Sequence, residues 1–206
     1  GSEMCIRDSQ NPVPWPNGAR CACVISFDMD ADSLIHIARP EDSHDRLYPI
    51  SMGRYGPTVA IPRILDTYRR YGIQQSFFLP GWCVETYPNA VEAILEGGHE
   101  IGHHGYLHED PIEAPDQRYW FERALAAYRK YCGGTPAGYR APVYNINQEV
   151  VDLLVERVLP VRRNRHACGG RSERAKASVQ ACKGAGLGHN LHVAFTPVSY
   201  THLRAH

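Results

Sequence analysis

The 206-residue sequence is informative first for what it has little of. No apolar run approaches the ~20 residues that a membrane-crossing helix needs. The first residues also lack the apolar core of a secretory leader. Cysteine is sparse and unpatterned: seven residues, an odd number, are scattered along the chain. The one close pair, Cys21-Ala22-Cys23, is too tight for a metal knuckle and reads as strand alternation. A disulfide framework is therefore not expected, and a reduced, cytoplasmic protein is. Net charge is absent too, with 22 Lys/Arg against 22 Asp/Glu. The balance is uneven along the chain, however. Residues 1–157 hold 14 basic and 21 acidic side chains, while residues 158–206 hold eight basic ones and a single acid, Glu173. A basic tail can signal nucleic-acid binding. This one has almost no aromatic residues and no regular apolar period, so neither a nucleic-acid nor a membrane partner is expected. The length suits one domain, and a homo-oligomer is compatible with it.

Histidine is concentrated. Four of the eleven lie in Gly98-His99-Glu100-Ile101-Gly102-His103-His104-Gly105-Tyr106-Leu107-His108-Glu109-Asp110. Two pairs stand four apart. His99-Glu100-Ile101-Gly102-His103 has the spacing of the H-E-x-x-H metalloprotease pattern, which requires a helix. Gly97 and Gly98 stop the preceding apolar run, and Gly102 and Gly105 would each cost a helix about 1 kcal/mol. A strand over 100–102 is the better reading, followed by a loop that carries His104 and His108. Taken alone, those two are equally well read as polar loop residues.

The rest of the chain alternates. A short apolar stretch over 20–27 predicts a buried strand, which runs into Asp28-Met29-Asp30-Ala31-Asp32. By itself that acidic run reads as a solvated turn or a helix cap. Residues 33–57 are rich in Gly, Pro, His and charge and predict a long functional loop. Residues 58–71 predict an amphipathic helix, with Ile61, Ile64, Leu65 and Tyr68 on one face and Gly72 as its end. A strand over 73–79, a helix over 87–97, a helix over 116–132, a strand over 137–140 and a helix over 147–158 follow. Strands alternating with helices through short turns predict an α/β fold with a parallel sheet. In such folds the site lies at the carboxyl ends of the strands. The acids, His103, His104 and His108, and residues 140–144 all fall at that end. One carboxylate with two imidazoles and an open position suits a hydrolytic, zinc-type site.

Three stretches carry a resemblance: Phe27-Asp28-Met29-Asp30, His104-Gly105-Tyr106-Leu107-His108 and Arg140-Ala141-Pro142-Val143-Tyr144. In that order and spacing they are similar to the motifs of the polysaccharide deacetylases (NodB-homology, carbohydrate esterase family 4). The wording around them is nearest the branch of peptidoglycan deacetylases and allantoinase-like or cyclic-imide hydrolases. The resemblance covers about residues 12–157. It implies a distorted, incomplete (β/α) barrel, truncated at the C-terminus. It also implies a divalent metal, most simply Zn2+ with Co2+ or Ni2+ as substitutes, held by Asp30, His104 and His108. Asp28 would be the catalytic base, Arg140 its orienting partner, the Val143 N–H an oxyanion donor and Tyr144 a substrate contact. His99, His103, Glu109 and Asp110 match no such role and read as supporting residues. The implied reaction is hydrolysis of a non-peptide C–N bond, N-deacetylation of an N-acetylated sugar. The alternatives are hydrolysis of a cyclic amide or imide, and an inactive metal-binding fragment.

The resemblance stops after residue 157. The family's late motifs include a histidine acting as general acid. Here only His189 and His192 offer themselves, and by residue type alone. Residues 1–10 read as a tag followed by translated adapter. Residues 11–159 read as a partial polysaccharide deacetylase domain, and 160–206 as a non-native, frameshifted tail.

Overall fold

The structure, a computed structural model, describes residues 25–158 and the backbone of residues 192 and 193. The expectations for residues 1–10 and for His189 lie outside the described residues, as does the tail apart from 192–193.

Four short strands form a parallel sheet in chain order: β1 (Ser26–Asp28), β2 (Ser76–Leu79), β3 (Glu100–His103) and β4 (Tyr139–Arg140). A fifth, β5 (His192–Val193), pairs antiparallel with β4. Asp28 is in register with Phe78, Phe78 with Gly102, and His103 with Tyr139. Because side chains alternate along a strand, the sheet has two distinct faces. Phe77, Leu79, Ile101 and Tyr139 enter the apolar core with Val91 and Ile94 of α5 (Pro88–Glu96) and Phe121, Leu125 and Tyr128 of α6 (Gln117–Tyr131). Asp28, Phe78, Gly102 and Arg140 lie on the other face, with the Arg140 guanidinium 4.0 Å above the Phe78 ring. Sequential order with a helical crossover between neighbouring strands gives the curled sheet of an incomplete (β/α) barrel.

Two of the helices start at a side chain that satisfies a free N–H group. Asp116 accepts from Tyr119 N–H at 3.0 Å ahead of α6. Asn147 accepts from Val150 N–H at 2.9 Å ahead of α7 (Gln148–Arg157). Gly72, at φ +64°, closes α3 (Ile61–Tyr71).

Two expectations are corrected. Residues 33–57 are not a loop. They form α1 (Ser33–Ala38), a 3-10 turn (Ser43–Asp45) and α2 (Leu47–Tyr55), which runs through a π-turn (Gly56–Ala60) into α3. The sequence hides α2 because Leu47, Tyr48, Met52 and Tyr55 all face solvent. Its inward contact is made by Ile50 and by Gly53, where a Cβ would stand 2.7 Å from the Asp32 backbone. The second correction concerns β1, which is not buried throughout: Phe27 is 42% exposed on the edge strand. A further helix, α4 (Gly81–Thr86), starts directly after β2, where Pro80-Gly81 reads as a simple stop.

Candidate metal and catalytic centre

The ends of β1, β3 and β4 converge. Pairing continues past β1, with Met29 N–H donating to Phe78 O at 2.9 Å, and Asp30 follows at the rim. After β3 the chain turns through Gly105 (φ +72°), where a Cβ would lie 2.8 Å from Glu109 Oε1. The loop is held from inside. Glu109, buried, accepts Tyr106 N–H at 3.0 Å and Leu107 N–H at 2.8 Å. The Gly105 and Tyr106 carbonyls accept from Gly81 and Trp82 N–H at 2.9 and 2.7 Å. The Tyr128 hydroxyl accepts His104 N–H at 3.1 Å and donates to the Leu79 carbonyl.

This brings the three expected ligands together. One donor atom each from Asp30, His104 and His108 lies within 4.8 Å of the others. His104 Nε2 is 3.5 Å from Asp30 Oδ1, and His108 Nε2 is 3.7 Å from Asp30 Oδ2. These separations are too long for hydrogen bonds. They approach the ~3.4 Å between two donors that each stand about 2.1 Å from one tetrahedral ion. His104 Nδ1 lies 2.7 Å from the Arg140 carbonyl. A carbonyl only accepts, so Nδ1 carries the hydrogen and Nε2 presents a lone pair to the centre. Asp30 Oδ1 is buried with no hydrogen-bond partner among the described residues. Burial raises the Asp30 carboxyl above its ordinary range and lowers the His104 imidazole below its own, because desolvation penalises both charged forms. One carboxylate and two imidazoles brought this close together are a donor set that fits a divalent ion.

Asp28 takes a different place. Its carboxylate pairs with the Arg140 guanidinium, which also donates to Ser26 Oγ at 2.6 Å. Asp28 Oδ2 remains 4.0 Å from His104 Nε2. Val143 and Tyr144 follow β4 in a short 3-10 turn, half-exposed, at φ +53° and +61°. Such values are uncommon for bulky residues and rare for a β-branched one. Ala31 and His108 share this backbone region, at φ +50° and +64°. Positive-φ residues thus flank the centre in each of its three loops.

His99 and His103 do not join the centre. His103 is fully buried and stacks on Phe121 at 4.5 Å, with Nδ1 accepting Gly105 N–H at 3.1 Å. His99 accepts Gln75 N–H at 3.3 Å and packs edge-on against Phe77. The H-E-x-x-H spacing therefore runs along a strand rather than a helix. Two contributors escape sequence reasoning. Tyr128 reads only as a core residue of α6, with nothing local to mark its hydroxyl. Asp32 reads only as part of an acidic turn.

Comparison with known proteins agrees with the motifs. The family model described as polysaccharide deacetylase matches residues 55–158. The peptidoglycan deacetylase of Helicobacter pylori (strain 26695) is 28% identical over 135 residues, covering 65% of this chain and 46% of that protein. A peptidoglycan deacetylase-like protein of Gibberella zeae is 32% identical over 148 residues, covering 69% and 44%. A crystal structure of a candidate polysaccharide deacetylase from Mycobacterium smegmatis superposes with TM-score 0.66 at 37% identity, covering 70% of this chain and 51% of that one. The chain thus spans about half the length of these relatives. With a matched region that contains both histidines and the Arg140 motif, the chain belongs to the polysaccharide deacetylase family.

Proposed function

We propose that this chain carries the centre of a metal-dependent hydrolase that removes the acetyl group from an N-acetylated carbohydrate. The observation that carries the reading is the division of labour between two acids two residues apart. Asp30 stands within 3.7 Å of an imidazole nitrogen of both His104 and His108, while Asp28 is held by Arg140 at the edge of the same cluster. Asp30, His104 and His108 would hold the ion, most simply Zn2+. Such an ion supplies Lewis acidity, polarising an acyl oxygen and making a water molecule acidic enough to lose its proton near neutral pH.

The remaining work falls to the chain. Asp28, oriented by its pairing with Arg140, takes the proton from the attacking water. The Val143 N–H, presented by a left-handed turn three residues past Arg140, donates to the developing oxyanion. Tyr144, 58% exposed beside it, offers an aromatic face to a sugar ring. The peptidoglycan deacetylases among the relatives favour an N-acetylated glycan as the substrate.

The test is acetate release from N-acetylglucosamine oligomers, with and without added Zn2+. Zn2+-dependent release that disappears in Asp28→Asn is the expected result. Release that is independent of metal, or insensitive to Asp28, would refute the reading.

A further inference from the structure

Asp32, the last acid of the Asp28-Met29-Asp30-Ala31-Asp32 run, stands just before α1. An aspartate there ordinarily turns its carboxylate onto the first free N–H groups of the helix. Asp32 makes no such cap. It is wholly buried, and its carboxylate reaches three helices instead. The Tyr87 hydroxyl, at the start of α5, donates to Oδ1. Arg54 Nε of α2 donates to Oδ2 at 3.3 Å, and His36 Nε2 of α1 lies 3.6 Å away. Burying a carboxylate is costly unless donors surround it, and here the donors come from outside its own turn.

The backbone beneath it is equally constrained. The Asp32 carbonyl accepts Ile35 and His36 N–H at 3.0 and 3.3 Å. The Asp30 carbonyl accepts Ser33 N–H at 3.1 Å, Ser33 Oγ at 2.6 Å and Cys83 Sγ at 3.1 Å. Gly53 lets α2 press directly on Asp32 Cα. The Asp30 side chain, by contrast, has a buried Oδ1 with no hydrogen-bond partner among the described residues. Its aim is set by the backbone it stands on.

We propose that Asp32 is a positioning residue: by tying Tyr87 and Arg54 to the turn 30–33, it aims the Asp30 carboxylate at His104 and His108. This rests on the reading of those three residues as ligands of one divalent ion. The role is distinct from ligation and from proton transfer, since the Asp32 carboxylate meets Tyr87, Arg54 and His36 and is not one of the three clustered donors.

The experiment titrates Co2+ into the metal-free chain, following the visible absorption that reports ligand geometry. The unaltered chain is compared with Asp30→Ala, Asp32→Asn and Tyr87→Phe. Urea unfolding in chelator establishes how much of each variant is folded. Asp32→Asn and Tyr87→Phe are expected to bind Co2+ about 10- to 100-fold more weakly per folded molecule and to shift the absorption bands. Should Asp32→Asn fail to fold, Tyr87→Phe decides, because it deletes one hydroxyl and no charge. Affinity and spectrum unchanged per folded molecule would overturn the positioning role while leaving the ligand reading intact. An unaltered chain that binds no Co2+, or binds it equally in Asp30→Ala, would overturn both.

Discussion

The carbonyl oxygen of Arg140 lies 2.7 Å from His104 Nδ1, while the side chain of the same residue pairs with Asp28. One residue thus fixes the tautomer of a candidate ligand through its backbone and the orientation of the candidate base through its guanidinium. The two functions are separable by mutation.

Arg140→Gln keeps the carbonyl and removes the charge. Co2+ affinity should therefore hold, while deacetylation falls between about 10- and 100-fold. Parallel metal titration and acetate-release assays check this. Equal loss in both would mean that the guanidinium acts on the ligands themselves.

Asp28→Asn and Asp30→Ala should part company. Removing the proposed base should cost about 10²- to 10⁴-fold in turnover and leave one metal equivalent bound. Removing Asp30 should lose the metal as well. Elemental analysis after dialysis distinguishes them, and equal metal loss in the two variants would show the roles to be misassigned.

Gly102→Ala tests the sheet beneath the centre. A Cβ there would stand 2.5 Å from the Phe78 ring, on which the Arg140 guanidinium rests. Overpacking of this kind costs about 1–3 kcal/mol. Since the displaced ring pushes on Arg140, activity should fall more steeply than metal affinity. A variant with unchanged unfolding midpoint and unchanged turnover would contradict this chain of contacts.

Acid should weaken the metal-free fold. Burial pushes the His103 pKa down to about 3, against an ordinary value near 6.5. As pH falls below ~6.5 the unfolded chain takes up a proton that the native state refuses, so stability declines, by about 2 kcal/mol between pH 7 and 5 from His103 alone. Asp30 and Glu109, both raised by burial, act with the opposite sign. Their native forms gain protons first on acidification, which offsets part of the loss. Urea midpoints in chelator at pH 7, 6 and 5 measure the sum. His103→Asn, which retains an acceptor for Gly105 N–H, should be less stable at pH 7 but flatter with pH. An equally steep decline in that variant would place the titrating group elsewhere.

The parts of the centre legible in the sequence are those whose signal is local. His104 and His108 are spaced on one loop, and Asp28 and Asp30 alternate at a strand end. Glycines at 98, 102 and 105 rule out the competing helix. The illegible parts depend on distant partners. Asp32 meets Arg54 and Tyr87 across 22 and 55 positions of chain, so nothing nearby distinguishes it from a solvated turn. The apolar residues of α2 point outward, which removes the periodicity by which a helix is ordinarily recognised. The Tyr128 hydroxyl acts through the backbone of two other elements, His104 and Leu79, and no pattern within α6 reports that.

The pair between Asp28 and Arg140 closes a loop of 112 residues. Loop closure on that scale is slow and entropically costly, and it gains nothing until the intervening strands are docked. During folding, the His104–His108 loop alone can offer only two donors, and the third arrives with β1, two strands away. Tight ion capture should therefore appear late, with the rate of whole-sheet assembly. Uptake of Co2+ during refolding would then serve as a clock for that final step.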